Sequence, residues 1–470
     1  PRRHPRVQRG IGVLKHHLDV AAVDKHLLRA QRQQVGLAYG DVLSENLAFR
    51  ISGEWAEKES DLKYPSYRRF DRYDDFVTDE SYNLRGKLLW KPAGSSDTRV
   101  LLSYAHAFDS PMSNTIAGPN WSTGAPSYKA RRGDVWGSIL PDMYRFGFGL
   151  TELPAFQDVR ETAVDNAGLE ITHVLSDTLT LTAQSGWTRS LTKRRSINEG
   201  TAGEFLTVDG EFDQSILAQE IRLNHDSGAL RWVTGAYAAR EEQRAFRDQQ
   251  LLALDQTRNG AEITNLALFG ETSWEFVTDW RVIVGGRVDS VRQRQSAFYA
   301  QNGAMVSDTR SGFDDVALLP KLGLEHSFAG NQRVSLIYRE GYRPGGAGIQ
   351  ASTGAEYEYK PENARNIELA WQGRFADNRL ALTATAFHQD WQDQQVELWE
   401  NPIDPNSSKV VNAGKSVSYG AELEASYAAT RELQIYTAIG LLRTEFKDFQ
   451  VGASDYSGRP FPGAPKFNAT

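Results

Sequence analysis

Apolar and polar residues alternate along much of this chain with the two-residue period of β-strands. The first clear example begins at Leu47 and sets apolar against polar residues on opposite faces: Phe49, Ile51 and Trp55 against Arg50, Ser52 and Glu54. Three later segments repeat the split: Ile221 and Leu223 against Glu220, Arg222 and Asn224; Trp280, Val282, Val284 and Val288 against Arg281, Arg287 and Asp289; Leu423, Ala425 and Tyr427 against Glu422 and Glu424. Successive side chains of a strand point to opposite faces, so the pattern predicts an all-β protein.

Short polar turns separate these alternating segments in pairs. They are expected at residues 44–46, 93–97, 176–177, 226–228, 278–279, 329–331, 376–378 and 429–431. Successive turns lie roughly 50 residues apart, with one gap of roughly 80 between the second and third, which indicates a repeated supersecondary unit. Eight hairpins of this kind predict about sixteen strands.

Longer connections rich in Arg, Tyr, Gly, Asp and Ser lie between the hairpins. They are expected at residues 58–80, 107–160 and 293–314. Short turns on one rim and long loops on the other are typical of outer-membrane barrels, whose tilted strands need about 10 residues to cross a bilayer. A kelch-type propeller also repeats at about 50 residues but uses short strands. The alternative hypothesis is therefore a soluble β-propeller or sandwich that binds glycans.

Composition narrows the function classes. The 470 residues contain no cysteine, which excludes disulfides and thiol chemistry, and no polar linker divides them. A net charge of -7 with interspersed signs argues against a nucleic-acid partner. Mean hydropathy is -0.50, with no apolar run of the length that a membrane helix needs. Aromatic residues reach 11%, with 11 Trp and 18 Tyr, as in barrels with aromatic girdles at both membrane interfaces.

Motifs for catalysis or cofactor binding are missing from the sequence. Residues 412–416 end like a phosphate loop, but Lys409 stands where its leading glycine would be. The glycine-rich stretch 341–348 is not followed by a helical pattern, so a dinucleotide site is not expected. We therefore expect neither an enzyme nor a resident cofactor or metal.

Several motifs resemble those of the TonB-dependent receptor family in their order and spacing. They are QEIRL at 219–223, LRWVTGAY at 230–237, LFGE at 268–271, VGGRV at 284–288, PKLGL at 320–324, YREGYRPGG at 338–346, YKPE at 359–362, NAGK at 412–415, GAELE at 420–424 and PGAPKF at 462–467. Each motif alone is a common mixture of strand and turn residues. Their succession covers residues 31–470.

The resemblance implies a large antiparallel transmembrane β-barrel. Barrels of this family have 22 strands around a plugged lumen, so about 16 of 22 strands are expected here and the barrel is expected to be incomplete. Residues 31–470 would form this partial barrel, with the plug domain absent. Residues 1–30 form an atypical segment that we interpret as a fragment boundary or frame error. That segment holds His4, His16, His17 and His26, but a metal-binding tail is the less favoured interpretation.

The function implied by the resemblance is import across the outer membrane of a Gram-negative cell. Such a receptor would take up an iron-siderophore complex or a similar scarce nutrient. Its expected partners are that small ligand, the outer membrane and the TonB complex, which would act through the missing plug region.

Two sets of candidate site residues follow. The first lies in long loops, where guanidinium groups and aromatic rings suit bulky, often anionic ligands: Tyr64, Tyr67, Arg68, Arg69, Trp121, Tyr128, Arg131, Arg132 and Trp136. The second is expected to face the lumen and the plug: Glu220, Arg222, Arg287, Asp289, Glu368, Glu422 and Glu424.

Overall fold

The computed structural model describes most of the chain as strands joined by turns. The described residues are 19–20, 32–59, 78–92, 97–112, 129–131, 134–136, 155–200, 203–204, 208–250, 254–328, 331–350, 355–400, 408–452 and 454–470. Among these residues, no helix has the length and apolar character needed to span a membrane.

The strands are numbered in chain order. They are β1 Asp19–Val20, β2 Arg32–Ser44, β3 Leu47–Glu59, β4 Thr78–Trp90, β5 Thr98–Ser110, β6 Lys129–Arg131, β7 Asp134–Trp136, β8 Ala155–Ser176, β9 Leu179–Gly200, β10 Gly203–Glu204, β11 Val208–Asp226, β12 Leu230–Gln250, β13 Leu254–Val277, β14 Trp280–Gln301, β15 Ala304–Phe328, β16 Gln332–Arg343, β17 Gly346–Ile349, β18 Glu356–Tyr359, β19 Glu362–Phe375, β20 Leu380–Trp399, β21 Ser408–Ala428, β22 Gln434–Asp448, β23 Gln450–Val451, β24 Ser454–Asp455 and β25 Phe467–Ala469.

Nineteen of the described strands form one antiparallel sheet. Pairing runs from β1 through β5, then β8, β9, β11 to β16, β19 to β22 and β25, while β10 extends the edge of β9. Sixteen of these strands have 12 residues or more. The predicted count of about sixteen strands is confirmed. A propeller would instead divide its strands among separate four-stranded blades, so that alternative is wrong.

The eight predicted turns fall between consecutive long strands. Where the structure describes them they are tight, as between β11 and β12, where Gly228 has a φ of 84°, and between β13 and β14, where Asp279 has a φ of 68°. Glycine and Asp adopt this left-handed backbone more readily than other residues, which explains the polar turn signals. We call the edge where these eight turns lie the short-turn rim and the opposite edge the long-loop rim.

The third predicted long connection, residues 293–314, is wrong. Strand β14 continues to Gln301 and β15 begins at Ala304, so Asn302 and Gly303 form a two-residue turn with φ values of 51° and 78°. Paired positive φ values suit the twist of a hairpin. The seven long strands between β8 and β15 have 19 to 25 residues, about twice the predicted length. Near the long-loop rim both faces of these strands carry polar side chains, so alternation of apolar and polar residues did not identify their outer parts as strands.

The sheet has one face with exposed apolar side chains and one with polar side chains. The apolar face carries large exposed residues on β11 and on β13 to β15, among them Ile221, Leu268, Val288 and Leu318. Cross-strand partners share a face, and the register pairs Ile221 with Ala236, Ala236 with Leu268 and Leu268 with Val288. Glu220 and Arg222 therefore lie on the polar face, as the sequence alternation requires.

A small hydrophobic core lies near the long-loop rim. Phe446 and Phe449 are buried with ring centroids 4.9 Å apart, and Phe461 packs on Phe446 at 4.7 Å. Trp391 meets Phe461 edge-on at 5.5 Å. In the described part of the sheet many large apolar side chains are exposed, so strand pairing chiefly stabilises it.

Candidate functional site

Ion pairs within and between strands cover the polar face. Arg287 Nε lies 2.6 Å from Asp289 Oδ2, and Asn265 donates a further hydrogen bond to Asp289, whose side chain is 9% exposed. Arg222 Nη1 lies 3.2 Å from Glu220 Oε1. Side chains two residues apart on a strand share a face, which explains both pairs.

The remaining residues of the predicted polar-face set differ in their partners. The Glu368 carboxylate accepts a hydrogen bond from Arg339 Nη2 at 3.4 Å. Glu422 and Glu424 are exposed, and neither forms an ion pair with another described residue. A pair that the sequence did not suggest, Lys321 with Glu271 at 2.7 Å, lies on the same face. The structure therefore brings five of the seven predicted residues into ion pairs and leaves two carboxylates open.

Most of the predicted loop residues lie outside the described part of the chain: Tyr64, Tyr67, Arg68, Arg69, Trp121, Tyr128 and Arg132. The backbones of Arg131 and Trp136 belong to β6 and β7, which pair as a short hairpin with Arg131 opposite Asp134. Residues 1–30 are likewise outside the description, apart from the two-residue strand β1, which pairs with β2.

A cavity of about 590 Å³ lies between the polar face and the hairpin β17–β18. This hairpin belongs to the connection from β16 to β19, and it contacts β14 and β15 on one side and β21 on the other. The lining combines aromatic rings with polar groups: Phe212, Gln243, Arg247, Thr257, Asn259, Tyr299, Thr309, Glu356 and Tyr357. A recess of this size with a few polar groups fits a small organic ligand.

Glycine permits the close packing of this hairpin. A Cβ atom on Gly346 would lie 2.5 Å from the Tyr359 hydroxyl, and one on Gly348 would lie 2.6 Å from the Tyr357 hydroxyl. Both distances are shorter than real Cβ contacts. The glycine-rich stretch that follows β16 therefore lets two tyrosine side chains lie across the opposite strand of the hairpin.

Asn412 anchors the base of the hairpin connection. Its Oδ1 accepts a hydrogen bond from the Lys360 backbone N–H at 2.8 Å, and its Nδ2 donates to the Lys360 carbonyl at 3.0 Å. Nδ2 also donates to the carbonyl of Asp393 at 2.7 Å, and Asp393 has a left-handed backbone with a φ of 55°. The NAGK motif at 412–415 thus holds the YKPE motif at 359–362, although the two are about fifty residues apart.

Gln395 completes this anchor. Its backbone N–H donates to Glu362 Oε2 at 2.7 Å. Its side-chain amide donates to the carbonyls of Pro344 at 2.8 Å and Lys360 at 3.1 Å. Both ends of the connection are therefore tied to β20 and β21, and no sequence pattern singled out Gln395 or Asn412 for this role.

A third tie holds the connection where β17 ends. Gln350 Nε2 donates to Glu400 Oε2 at 2.8 Å, and Lys409 forms an ion pair with the same carboxylate. The Lys409 ammonium, followed by the Gln350 amide, holds the pKa of Glu400 below its usual range. The carboxylate is therefore charged at neutral pH.

Three arginines lie side by side on the polar face next to the cavity. The register places Arg160 opposite Arg194, Arg194 opposite Gly210, and Gly210 opposite Arg247. Neighbouring strands are about 4.8 Å apart, so the three side chains fall within roughly 15 Å. Burial lowers the pKa of Arg247, and the positive charge of Arg194 lowers it further. The sequence analysis did not predict this row, because the three arginines are far apart in the sequence and only strand pairing brings them together.

The cavity also holds a phenol with an altered acidity. Tyr299 donates a hydrogen bond to Asp255 Oδ1 at 2.9 Å, and burial together with this bond raises the pKa of Tyr299. The group is therefore neutral near pH 7, and its one proton is already donated to Asp255. Positive charge, the side-chain amides of Gln243 and Asn259, and aromatic faces together suit the binding of an anionic organic molecule.

Comparison with known proteins agrees with this architecture. The family model described as TonB dependent receptor-like, beta-barrel matches residues 138–470. The metal-pseudopaline receptor CntO of Pseudomonas aeruginosa is 27% identical over 188 residues, which cover 40% of this chain and 25% of the relative. The match thus spans about a quarter of that relative's length.

Solved structures share the fold. The ferric yersiniabactin uptake receptor FyuA from Yersinia pestis superposes with a TM-score of 0.75 at 17% identity, covering 93% of this chain and 62% of that one. The ferric-catecholate import receptor Fiu from E. coli K12, in its closed form, gives 0.67 at 17% identity, covering 93% and 66%. All three proteins are named as receptors and none as an enzyme. This chain belongs to the TonB-dependent receptor-like β-barrel family.

Proposed function

We propose that this chain is the barrel part of an outer-membrane receptor that imports a bulky anionic metal chelate, such as a ferric siderophore. The observation that carries the proposal is the row of Arg160, Arg194 and Arg247 beside the cavity under the hairpin β17–β18. Chelates of this class carry oxygen anions on an organic scaffold. Guanidinium groups pair with such anions, while Phe212 and Tyr357 cover apolar parts of the scaffold.

The named ligands of related receptors support this chemistry. CntO is a receptor for metal-pseudopaline, and FyuA takes up ferric yersiniabactin. Both ligands are metal complexes of small organic molecules. In this chain the metal would be transported inside its chelate, so the protein itself would not need to supply metal ligands.

The polar face is proposed to line the lumen. Its ion pairs, including Arg287–Asp289 and Arg222–Glu220, neutralise charged side chains along the wall. Glu422 and Glu424 form no ion pair with the described residues, so their carboxylates are available to a plug segment. The TonB complex would act on that segment. The predicted loop residues, from Tyr64 to Trp136, remain proposed ligand contacts at the outer rim.

A binding experiment tests the proposal. The purified chain in detergent would be titrated with an anionic ferric catecholate and a neutral ferric hydroxamate, with tryptophan fluorescence as the readout. We expect the double variant Arg194→Gln/Arg247→Gln to weaken catecholate binding about tenfold or more, since two charge-assisted contacts are lost. The matched control is Arg231→Gln/Arg333→Gln near the short-turn rim.

Two results would overturn the proposal. One is equal binding of both chelates. The other is equal loss of binding in the arginine-row variant and its control, because a general charge effect would not depend on the cavity.

A further inference from the structure

Charged residues mark the limit of the apolar face on the side of the long-loop rim. Moving from the short-turn rim along each strand, the first charged residues on this face alternate in sign from strand to strand: Asp165 on β8, Arg189 on β9, Asp213 on β11, Arg240 on β12, Glu262 on β13, Arg292 on β14 and Asp314 on β15. Neighbours form ion pairs, with distances of 2.8 Å for Arg189–Asp213, 3.2 Å for Arg240–Glu262 and 3.4 Å for Arg292–Asp314.

A pit opens just beyond this belt, on β12 to β15. The register places Arg244 opposite Gly260, Gly260 opposite Ser296, and Ser296 opposite Arg310. The two central residues are small, so the arginines on either side and Arg294 below enclose a recess of about 1070 Å³. The floor is polar, since Ser296 Oγ lies 2.9 Å from the position of a Cβ on Gly260.

Guanidinium groups in the pit keep free hydrogen-bond donors. Arg240 engages Glu242 at 3.1 Å and Glu262 at 3.2 Å, which occupies those two carboxylates. The side chain of Arg244 is 82% exposed, and its ion-pair distance to Glu242 is 3.9 Å. Arg310 is exposed and forms no ion pair with the described residues. Arg244 and Arg310 can therefore accept an anion without breaking a strong internal contact, whereas Arg294 already pairs with Asp314 at 3.0 Å through Nη1 and offers only its remaining donors.

The carboxylates of the pit limit its charge. Glu211 and Asp308 also line it, and two of its five arginines are neutralised from outside, Arg258 by Asp248 and Arg294 by Asp314, so the pit as a whole carries no excess of positive charge. A small anion with several oxygen acceptors matches this arrangement better than a highly charged polymer, because the donors are concentrated around Gly260 and Ser296.

An apolar groove of about 420 Å³ lies on the same face, closer to the short-turn rim. Its floor holds the small residues Ala236 and Ala238, and its walls include Ile221, Leu266 and Leu268. Ala236, Ala238, Arg240, Glu242 and Arg244 follow one another along this face of β12, so the groove leads across the charged belt to the pit. An apolar chain in the groove would place an attached polar group at the arginines.

We propose that this groove and pit form a binding site for a phosphorylated membrane lipid, with an acyl chain in the groove and the phosphate between Arg244, Arg294 and Arg310. The proposal rests on the outer-membrane location proposed above, because the apolar face must contact lipid. The site lies on the opposite face from the chelate cavity and serves a different ligand. Phosphate oxygens accept bidentate hydrogen bonds from guanidinium groups, and the groove adds apolar burial.

Native mass spectrometry of the full chain tests the site. The protein in detergent would be mixed with diphosphorylated lipid A, with its dephosphorylated form, or with inorganic phosphate alone. We expect retention of the diphosphorylated lipid about tenfold or more above the dephosphorylated form. The variant Arg244→Gln/Arg294→Gln/Arg310→Gln should lose this preference, and Ala238→Leu, which fills the groove, should weaken retention while the phosphate preference remains.

The control Arg231→Gln/Arg333→Gln/Arg374→Gln removes the same charge from the polar face and should retain lipid normally. Equal retention of both lipid forms, or equal loss in the pit variant and the control, would overturn the proposal. So would full competition by inorganic phosphate with no effect of Ala238→Leu, since that result indicates a free-anion site. The chelate variant Arg194→Gln/Arg247→Gln should still bind lipid, so the two proposals fail independently.

Discussion

Replacing Asn412 with alanine should release the hairpin β17–β18 from the wall of the sheet. The side chain makes three hydrogen bonds, two with the backbone of Lys360 at 2.8 and 3.0 Å and one with the carbonyl of Asp393 at 2.7 Å. Each is worth roughly 1 kcal/mol net, so their loss should cost about 2 to 3 kcal/mol in local stability. Since 1.4 kcal/mol is tenfold, the hairpin should open roughly 30- to 140-fold more often.

Amide hydrogen exchange measures this opening directly. The hairpin amides of residues 346–350 and 355–360 should lose protection, while those of β13 and β14 should keep theirs because their strand pairing is unchanged. The matched control is Asn224→Ala, since Asn224 also lies on the polar face but its side chain makes no hydrogen bond with the described residues. A change of less than about threefold in hairpin protection, or an equal loss across the long strands, would refute the reasoning.

Three further predictions concern the membrane face, a buried ion pair and pH. Leu318→Arg, at an apolar-face residue that is 68% exposed, should destabilise membrane insertion by about 2 to 4 kcal/mol in a folding titration into lipid vesicles, whereas Thr383→Arg on the polar face should have little effect. Arg287→Gln should lower stability towards denaturant by about 2 kcal/mol because it leaves the buried carboxylate of Asp289 without its charged partner, and adding Asp289→Asn should recover much of the loss. The pKa of Glu400 is lowered in the folded state, so its contribution to holding the hairpin is fully present above the ordinary value of 4.5 and is lost as pH falls through the lower folded-state pKa. Protection of the hairpin amides from exchange should therefore fall as the pH is lowered below 4.5. The variant Glu400→Gln should remove this pH dependence.

Local patterns sufficed to predict the hairpin framework. Alternation in segments such as that around Ile221 reports which side chains share a face, and polar turns such as residues 226–228 report where strands reverse, so both features are written in consecutive residues. The same reasoning failed at residues 293–314. There Arg292, Arg294 and Arg310 make the outer face polar, and a strand with two polar faces has no alternation to detect.

The binding features depend on contacts between remote residues. Asn412 and Lys360 are fifty-two positions apart, yet the folded connection between β16 and β19 places them within hydrogen-bond distance. The prediction that loop residues near Tyr64 and Trp121 contact the ligand stays a prediction, since they lie outside the described residues.

By itself the sequence determined the all-β class, the eight short turns and the faces of the main strands, because each is set by side-chain period and local backbone preference. Tertiary structure alone decided which residues became neighbours across strands. The hydrogen-bond register sets Arg160, Arg194 and Arg247 in one row and encloses Gly260 between Arg244 and Arg310. Register is a cooperative property of paired strands, and a shift by one residue would move every one of these side chains to the other face.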